Sequence, residues 1–443
     1  MGFTTLIFLT GGSARADTAS LVLLRPMVVL ALGYAIYQWL GSERTGFAVP
    51  VGALLALAGF ALVQLIPLPP MIWTSLPGRE PLAEAQDAAQ IALTWQPVSV
   101  VPMATINSFG AVLVPLAGLI LLAISPEKVR SNTLKLVTGL MLISAALGLL
   151  QALAPSQAIL YFYRITNEGF PVGLFANRNH HAVMLAATIP FVLAYGEKFA
   201  RDRAGPFDWI GRGLGLGLVA LAVMTGSRIG TLLAMGAFLV TVTIFANARL
   251  SSTSRPANRS KRIAVTLIPL GLILTATLLF LTGVGAGFER LADKDSFDDL
   301  RFQILPEISA MLGQALPFGW GLGTFPEVFE VYERNELIQP AYINHAHNDW
   351  LEIIIEGGLV IPLILAVIAR WIARIAWANR KQIAHPIAAA SQMRFCALLA
   401  ILVLVAGSLF DYPLRTPAAA LAFVVFLVTF TAPPSAAEGR GRR

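Results

Sequence analysis

The chain has 443 residues, of which 56% are hydrophobic and 13% charged, with mean hydropathy +0.70 and a formal net charge of +7. A soluble globular chain carries about 25% charged residues, so this one lacks the polar groups to cover its own surface in water, and a soluble enzyme is excluded. Apolar runs recur from Leu21 to Phe430, which also excludes a single-span anchor. The composition points to one all-α, polytopic transmembrane helical bundle over 1–443. The one cysteine, Cys396, lies in an apolar run, so the chain can build no internal disulfide and no Cys-based zinc site.

In chain order, runs long enough to cross a bilayer fall at 21–40, 47–68, 107–124, 134–153, 180–196, 211–225, 229–247, 263–284, 351–374, 394–410 and 416–432. Phe3–Thr10 is too short to span and lacks the basic n-region of a signal peptide, while Ala14-Arg15-Ala16 has cleavage-site spacing. The count is therefore eleven or twelve. The connections after odd-numbered spans, with the tail 433–443, hold 19 of the 32 Lys and Arg residues. The even connections are much longer yet hold nine. Basic residues stay cytoplasmic, which places segment 285–350 outside. The basic clusters 249–262 and 440–443 are read as topology signals and contacts for anionic lipids. Neither has the aromatic interleaving of a nucleic-acid site. No internal repeat of 20–50 residues is visible, which weighs against a transporter.

The outer face gathers the chemistry. Segment 285–350 carries eleven acidic and four basic residues and is too long for a structureless loop, so it is expected to be a partly helical cap. Within it the apolar spacing predicts an amphipathic helix over 299–316, lying on the membrane surface, capped by Asp298 or Asp299 and kinked at Pro306. Arg301 falls in its first turn, where a cation opposes the helix dipole and an anion could hold it. Arg228 follows Thr225-Gly226-Ser227 between two apolar runs. An arginine at that depth is either a snorkelling structural residue or a functional one, and guanidinium suits a phosphate gripped by two hydrogen bonds.

The densest constellation runs Asn344-His345-Ala346-His347-Asn348-Asp349-Trp350-Leu351-Glu352, then Glu356-Gly357-Gly358. Helical spacing puts Asn348, Glu352 and Glu356 on one stripe that should face a polar cavity. Histidine titrates near neutrality, so His347 at the lip of that cavity suits a general base. Zinc on His345 and His347, with His180 or His181 as third ligand, lacks both HExxH and HxxEH spacing and is rejected. Asn177 and Asn179 precede His180-His181 at the start of another span, and either could cap it and aim its dipole at an anion. Pro317–Phe325 is a glycine-rich tight turn with aromatic anchors, without the GK[ST] of a P-loop. Asp411 and Arg415 flank an outside hairpin and are expected to form a local salt bridge.

These runs resemble a known family. His347-Asn348-Asp349-Trp350-Leu351-Glu352…Glu356-Gly357-Gly358 is similar to the signature of the bacterial O-antigen ligase and O-antigen polymerase family. Phe175-Ala176-Asn177-Arg178-Asn179-His180, Gly226-Ser227-Arg228 and the stretch from Asp298 and Arg301 to Gly319-Trp320-Gly321 resemble its other landmarks, in order. The resemblance covers roughly residues 170–360. It implies a cofactor-free, metal-independent inner-membrane enzyme with a long periplasmic loop. Such an enzyme moves a glycan from undecaprenyl diphosphate to lipid A–core or another surface glycolipid, to a growing polymer, or to protein. By that resemblance Arg228 and Arg301 would hold the diphosphate and His347 would activate the acceptor. Asn177, Asn179, His180, His345, Asn348, Glu352, Glu356 and Arg415 are the candidate substrate contacts. The family assigns no role to His345 or to the pair His180-His181. An extracytoplasmic site has no ATP, so a donor activated beforehand is required in any case. The polymerase remains open beside the ligase. A transporter or flippase of a lipid-linked or anionic solute, using the same arginines without a base, is the alternative from another class. An intramembrane protease is disfavoured, for no Ser–His or paired-Asp arrangement occurs at matching depths.

Overall fold

The computed structural model describes residues 1–41, 46–202, 208–252, 303–338 and 342–431. Helices α1 to α10 span Gly2–Thr10, Leu21–Leu40, Ala48–Val63, Pro70–Trp73, Glu80–Ala88, Pro102–Ile124, Glu127–Leu153, Arg178–Asp202, Asp208–Met224 and Arg228–Ser252. Beyond the segment not described come α11 Leu305–Ala315, α12 Phe325–Tyr332, α13 Asp349–Gly357, α14 Val360–Ala378, α15 Arg380–Ala384, α16 Ala389–Gly407 and α17 Pro417–Thr431. The one β element among the described residues is a short antiparallel pair, Pro67–Leu68 with Gln96–Pro97. The protein is an all-α, multi-pass helical bundle. Among the described residues, seven helices (α2, α6, α7, α8, α10, α14 and α16) are long and apolar enough to cross a membrane, and α3, α9 and α17 are shorter apolar helices. The expected span 263–284 lies outside the described residues.

Helix α8 is the axis of the bundle, 78% buried over its apolar window, and it packs on α9, α10 and α16. Small residues make that packing close. A Cβ on Gly196 of α8 would stand 2.5 Å from Gly211 Cα of α9, so the two backbones touch where only glycine permits it. Helix α17 fits between α6, α7 and α16, and the buried Ile7 and Phe8 of α1 help to close this side. Helix α14, by contrast, buries Ile361 alone. A hydrocarbon solvent accepts such a face, whereas water would not.

Two expectations are corrected. The apolar run 351–374 is not one span. Gly358, at φ +59° and ψ −149°, breaks it, so Glu352 and Glu356 sit on the separate short helix α13 ahead of the spanning α14. The break is enforced from outside, because a Cβ at Gly358 would lie 2.1 Å from the Pro317 carbonyl oxygen. The helix expected at 299–316 is described from Leu305, and Pro306 lies in its first turn instead of kinking it, where proline's missing N–H costs nothing. Its stripe Ile304, Ile308, Met311 and Ala315 is not spread on a membrane surface. It is buried with Trp320, Phe325, Phe329 and Ile355 in a small core of the cap. The capping residues Asp298 and Asp299 lie outside the described residues.

The glycine-rich turn then locks the cap to α13. Trp320 and Gly321 donate backbone N–H groups to the carbonyls of Ile355 and Glu356, at 3.2 and 2.9 Å. Gln64, at the end of α3, donates to the Glu356 carbonyl at 3.0 Å and accepts the Leu322 N–H at 2.9 Å. A Cβ on Gly319, at φ +79°, would meet the Glu356 carbonyl oxygen at 2.3 Å, so this close approach requires glycine. The C-terminal end of α13 is thereby tied to both the cap and α3.

Candidate functional site

Two linked clusters form between α13, the start of α8 and the five-residue hairpin 411–415. The first is acidic. Asn348 caps α13, its side-chain oxygen accepting the Leu351 N–H at 3.1 Å, and helical spacing then brings Asp349, Glu352 and Glu356 to one face. The hairpin carries Arg415 into their midst. Its Nη2 stands 3.1 Å from Glu352 Oε1 and 3.1 Å from Glu356 Oε2, and its Nε 3.4 Å from Asp349 Oδ1. Burial alone would lower the Arg415 pKa, but Glu352, Glu356 and Asp349 together raise it. Burial pushes the Asp349 carboxyl up to about 7, against the pull of Arg415 and of the Ser408 hydroxyl, which donates to Oδ2 at 2.9 Å. The local Asp411–Arg415 pair expected from sequence does not form among these contacts. Arg415 turns to three acids remote in sequence, and Asp411 turns to two histidines.

Those histidines make the second cluster. His347 Nδ1 lies 3.5 Å from Asp411 Oδ1, and His180 Nε2 lies 3.6 Å from the same oxygen. Burial pushes the Asp411 carboxyl up, yet the contacts with His180 and His347 outweigh it and hold the group well below the ordinary range. His345 Nδ1 sits 2.7 Å from Glu352 Oε1, whose partner oxygen accepts the Ala346 N–H at 2.8 Å. Burial lowers the His345 pKa, with Glu352 opposing. Tyr412 packs among all three rings, with centroids 3.9 Å from His345, 4.7 Å from His180 and 5.4 Å from His347. Burial pushes the Tyr412 phenol up, with Asn344 and Asn177 opposing. His347 has φ +51°, a left-handed conformation uncommon outside glycine and found preferentially where function holds a side chain in place.

The remaining sequence candidates distribute as follows. Asn177 caps α8, accepting the Asn179 N–H at 2.8 Å, so Asn179 is a first-turn residue and not the cap. His180 on the next step reaches Asp411. His181 is fully buried, its Nδ1 2.8 Å from the Pro171 carbonyl oxygen, and Gly173 leaves it no room for a neighbour's side chain. That is a packing role. Arg228 opens α10 and is exposed. A Cβ on Gly230 would stand 2.3 Å from Ala182 Cβ, so the Arg228 turn abuts the same end of α8 that carries His180. Arg301 lies outside the described residues. No group of three or more His, Cys, Asp or Glu side chains arranged to hold a metal occurs among the described residues.

A cavity of about 700 Å³ opens beside the acidic cluster, between α2, α3, α6 and the cap. His345, Glu352, Glu356 and Arg415 line it, whereas His347 does not, its ring centroid lying 5.4 Å from that of Tyr412. Arg15, Arg25 and Asn107 also line it, and sequence reading assigned them nothing. The roles of Asp411 and Tyr412 were likewise missed. An acid and an aromatic in a tight outside hairpin were the available signal.

Residues 213–366 match the family model described as O-antigen ligase. No curated protein matches the chain. The match covers about a third of the chain and agrees with the motifs; the family it describes is a glycan-transferring one, and the apolar helices are those of a multi-pass membrane protein. The matched stretch contains Arg228 and the His347–Gly358 run but neither Asn177 and His180 nor Asp411 and Arg415. Folding adds these from both flanks.

Proposed function

We propose that the chain is a metal-independent, cofactor-free transferase of the inner membrane, moving a glycan from an undecaprenyl-diphosphate donor to an acceptor hydroxyl at the periplasmic face. The acceptor is lipid A–core or another surface glycolipid. In this reading His347 takes the proton of the attacking hydroxyl, and Asp411 orients its imidazole and favours the imidazolium that forms. Arg228 and Arg301 hold the diphosphate and tighten as the sugar–phosphate bond breaks and charge collects on the leaving group. Asn177 and Asn348 fix the local backbone, while His180 shares Asp411. The observation that carries the reading is the His347–Asp411 contact at 3.5 Å, made by a histidine held in a left-handed backbone. A pure carrier has no use for a base with a buried carboxylate behind it.

Purified full-length protein in lipid nanodiscs, supplied with lipid-diphosphate-linked glycan and acceptor, tests this. His347→Ala should cut transfer to a small residual rate while donor binding persists. A variant that transfers at the parental rate would refute the assignment of the base, and a parent that never consumes the donor would refute the reaction.

A further inference from the structure

Helix α14 runs from the Gly358 break to Ala378, away from the acidic cluster. Its 19 residues rise about 28 Å, close to the ~30 Å hydrocarbon thickness of a bilayer, so Ala378 lies at the membrane edge opposite the cap. Trp371, Ile372, Ile375 and Ala376 pack toward the bundle core. On the other side, Leu363, Val367, Arg370, Arg374 and Trp377 recur at steps of four, three, four and three residues, which makes a single helical stripe. All five are exposed, and two are charged. Ionisable groups within a span almost always face the bundle interior or a water-filled cavity, or pair with one another. Arg370 and Arg374 face away from the bundle, and among the described residues neither has an ion-pair or hydrogen-bond partner. They also stand one turn apart, where like charges repel. Arg374, one turn before Ala378, can snorkel to the headgroups. Arg370 is eight residues, about 12 Å, from that edge, farther than its own side chain reaches. The edge itself is marked by Trp377, an aromatic at headgroup depth, whose ring carries the Arg380 guanidinium at 4.7 Å.

Such a stripe calls for an anion with an apolar body beside it. A second copy meeting it face to face would bring the same patch and set four guanidiniums together with no acid between them. An acidic phospholipid supplies both missing parts, phosphodiester oxygens for the guanidiniums and acyl chains for Leu363 and Val367. We propose that the Arg370–Arg374 stripe of α14 binds an acidic phospholipid of the leaflet opposite the cap. Its phosphate is drawn between the two guanidiniums, deeper than the level of Trp377, and its chains lie along Val367 and Leu363. The site is independent of the transferase chemistry.

The test uses full-length protein in nanodiscs carrying Cys396→Ala and Ala373→Cys, which puts a single thiol on the exposed side of α14 beside both arginines. The thiol is labelled with a bimane fluorophore, and its quenching is titrated with brominated phosphatidylglycerol or brominated phosphatidylcholine. The acidic lipid should associate roughly ten-fold or more tightly, at about five-fold for each basic residue near the headgroup. Arg370→Gln and Arg374→Gln should each remove about that five-fold share, and the double variant should show no preference. A label at Leu30→Cys, exposed on α2, should show none either. Equal quenching by the two lipids at Ala373→Cys, a preference that survives in the double variant or recurs at Leu30→Cys, or displacement of the lipid by inorganic phosphate overturns the proposal. The comparison of the two lipids needs no arginine substitution, so it decides the matter even where a glutamine variant fails to fold.

Discussion

Replacing Asp411 by Asn probes the histidine cluster at its centre. Asparagine keeps the volume of the side chain but removes its charge, and its amide can present N–H where His347 Nδ1 needs an acceptor. At the observed 3.5 Å and an effective dielectric constant of about 20, an imidazolium and a carboxylate attract by about 5 kcal/mol. That is a ceiling, because Asp411 is shared with His180 at 3.6 Å and part of the attraction already exists before the proton moves. With about 1.4 kcal/mol per decade of rate, the ceiling is between three and four decades, and a loss of roughly 10²–10³ in kcat is expected. Donor affinity should not change. The measurement is kcat and donor Kd on purified protein, in the parent and in a His347→Ala background. Asp411→Asn should add almost nothing to His347→Ala, since residues acting as one unit are not additive. Equal losses in both backgrounds, or a single variant within a few-fold of the parent, would show that Asp411 is only a packing residue.

Three further outcomes follow from the geometry. Arg228→Lys should retain the fold, judged by an unchanged thermal midpoint, yet lose about 10²–10³ in turnover; full turnover would make Arg228 a snorkelling residue. Asp349, pushed up to about 7 in the fold from an ordinary 3.8, binds its proton more tightly folded than unfolded, so its contribution to stability is present in acid and is lost as pH rises toward 7. The stability of the parent relative to Asp349→Asn should therefore fall by roughly 1.4 kcal/mol per pH unit between about pH 4 and 7, and thermal midpoints that stay parallel across this range would contradict the buried, neutralised carboxyl. Gly358→Ala must place a methyl group 2.1 Å from the Pro317 carbonyl at φ +59°, a backbone cost of about 1–3 kcal/mol before any clash; it should lower the thermal midpoint well beyond Gly236→Ala, which meets nothing within 4 Å, and equal midpoints would mean the helix break is not enforced there.

The helical, membrane-spanning class was legible because hydropathy is a property of composition and run length, and both survive without knowledge of contacts. The break at Gly358 was not. The run from Leu351 to Arg374 is apolar on both sides of it, and the atom that forbids continuation, the Pro317 carbonyl oxygen, lies some forty residues away in sequence. The apolar stripe of α11 was legible as a stripe, but its partner was not. Periodicity tells which face is buried and never what buries it, so a surface helix and a cap helix read alike. Glu352 and Glu356 fall on one helical face as their spacing predicts, since spacing within a helix is local information, but Asn348 is the cap ahead of the helix and Asp349 takes its place on that face.

The histidine–acid arrangement shows where local information ends. Asp411 and Arg415 are four residues apart with opposite charge, and proximity in sequence argues for their pairing. In the fold the 3₁₀ turn Pro413–Arg415 sends them in different directions, and each finds a stronger site. Arg415 meets three carboxylates that could not remain buried together without a cation, because each unpaired buried charge costs several kcal/mol. Asp411 meets two imidazoles and lies next to Tyr412, whose ring touches the histidines of both clusters. A local salt bridge on an exposed hairpin is worth about 0–1 kcal/mol, far less than either alternative. The hairpin is therefore spent on tertiary contacts, and one short connection between α16 and α17 fixes both the acids that line the cavity and the carboxylate behind His347. Sequence alone can identify such a residue as charged and outward, but the partner is chosen by what else the fold has buried nearby.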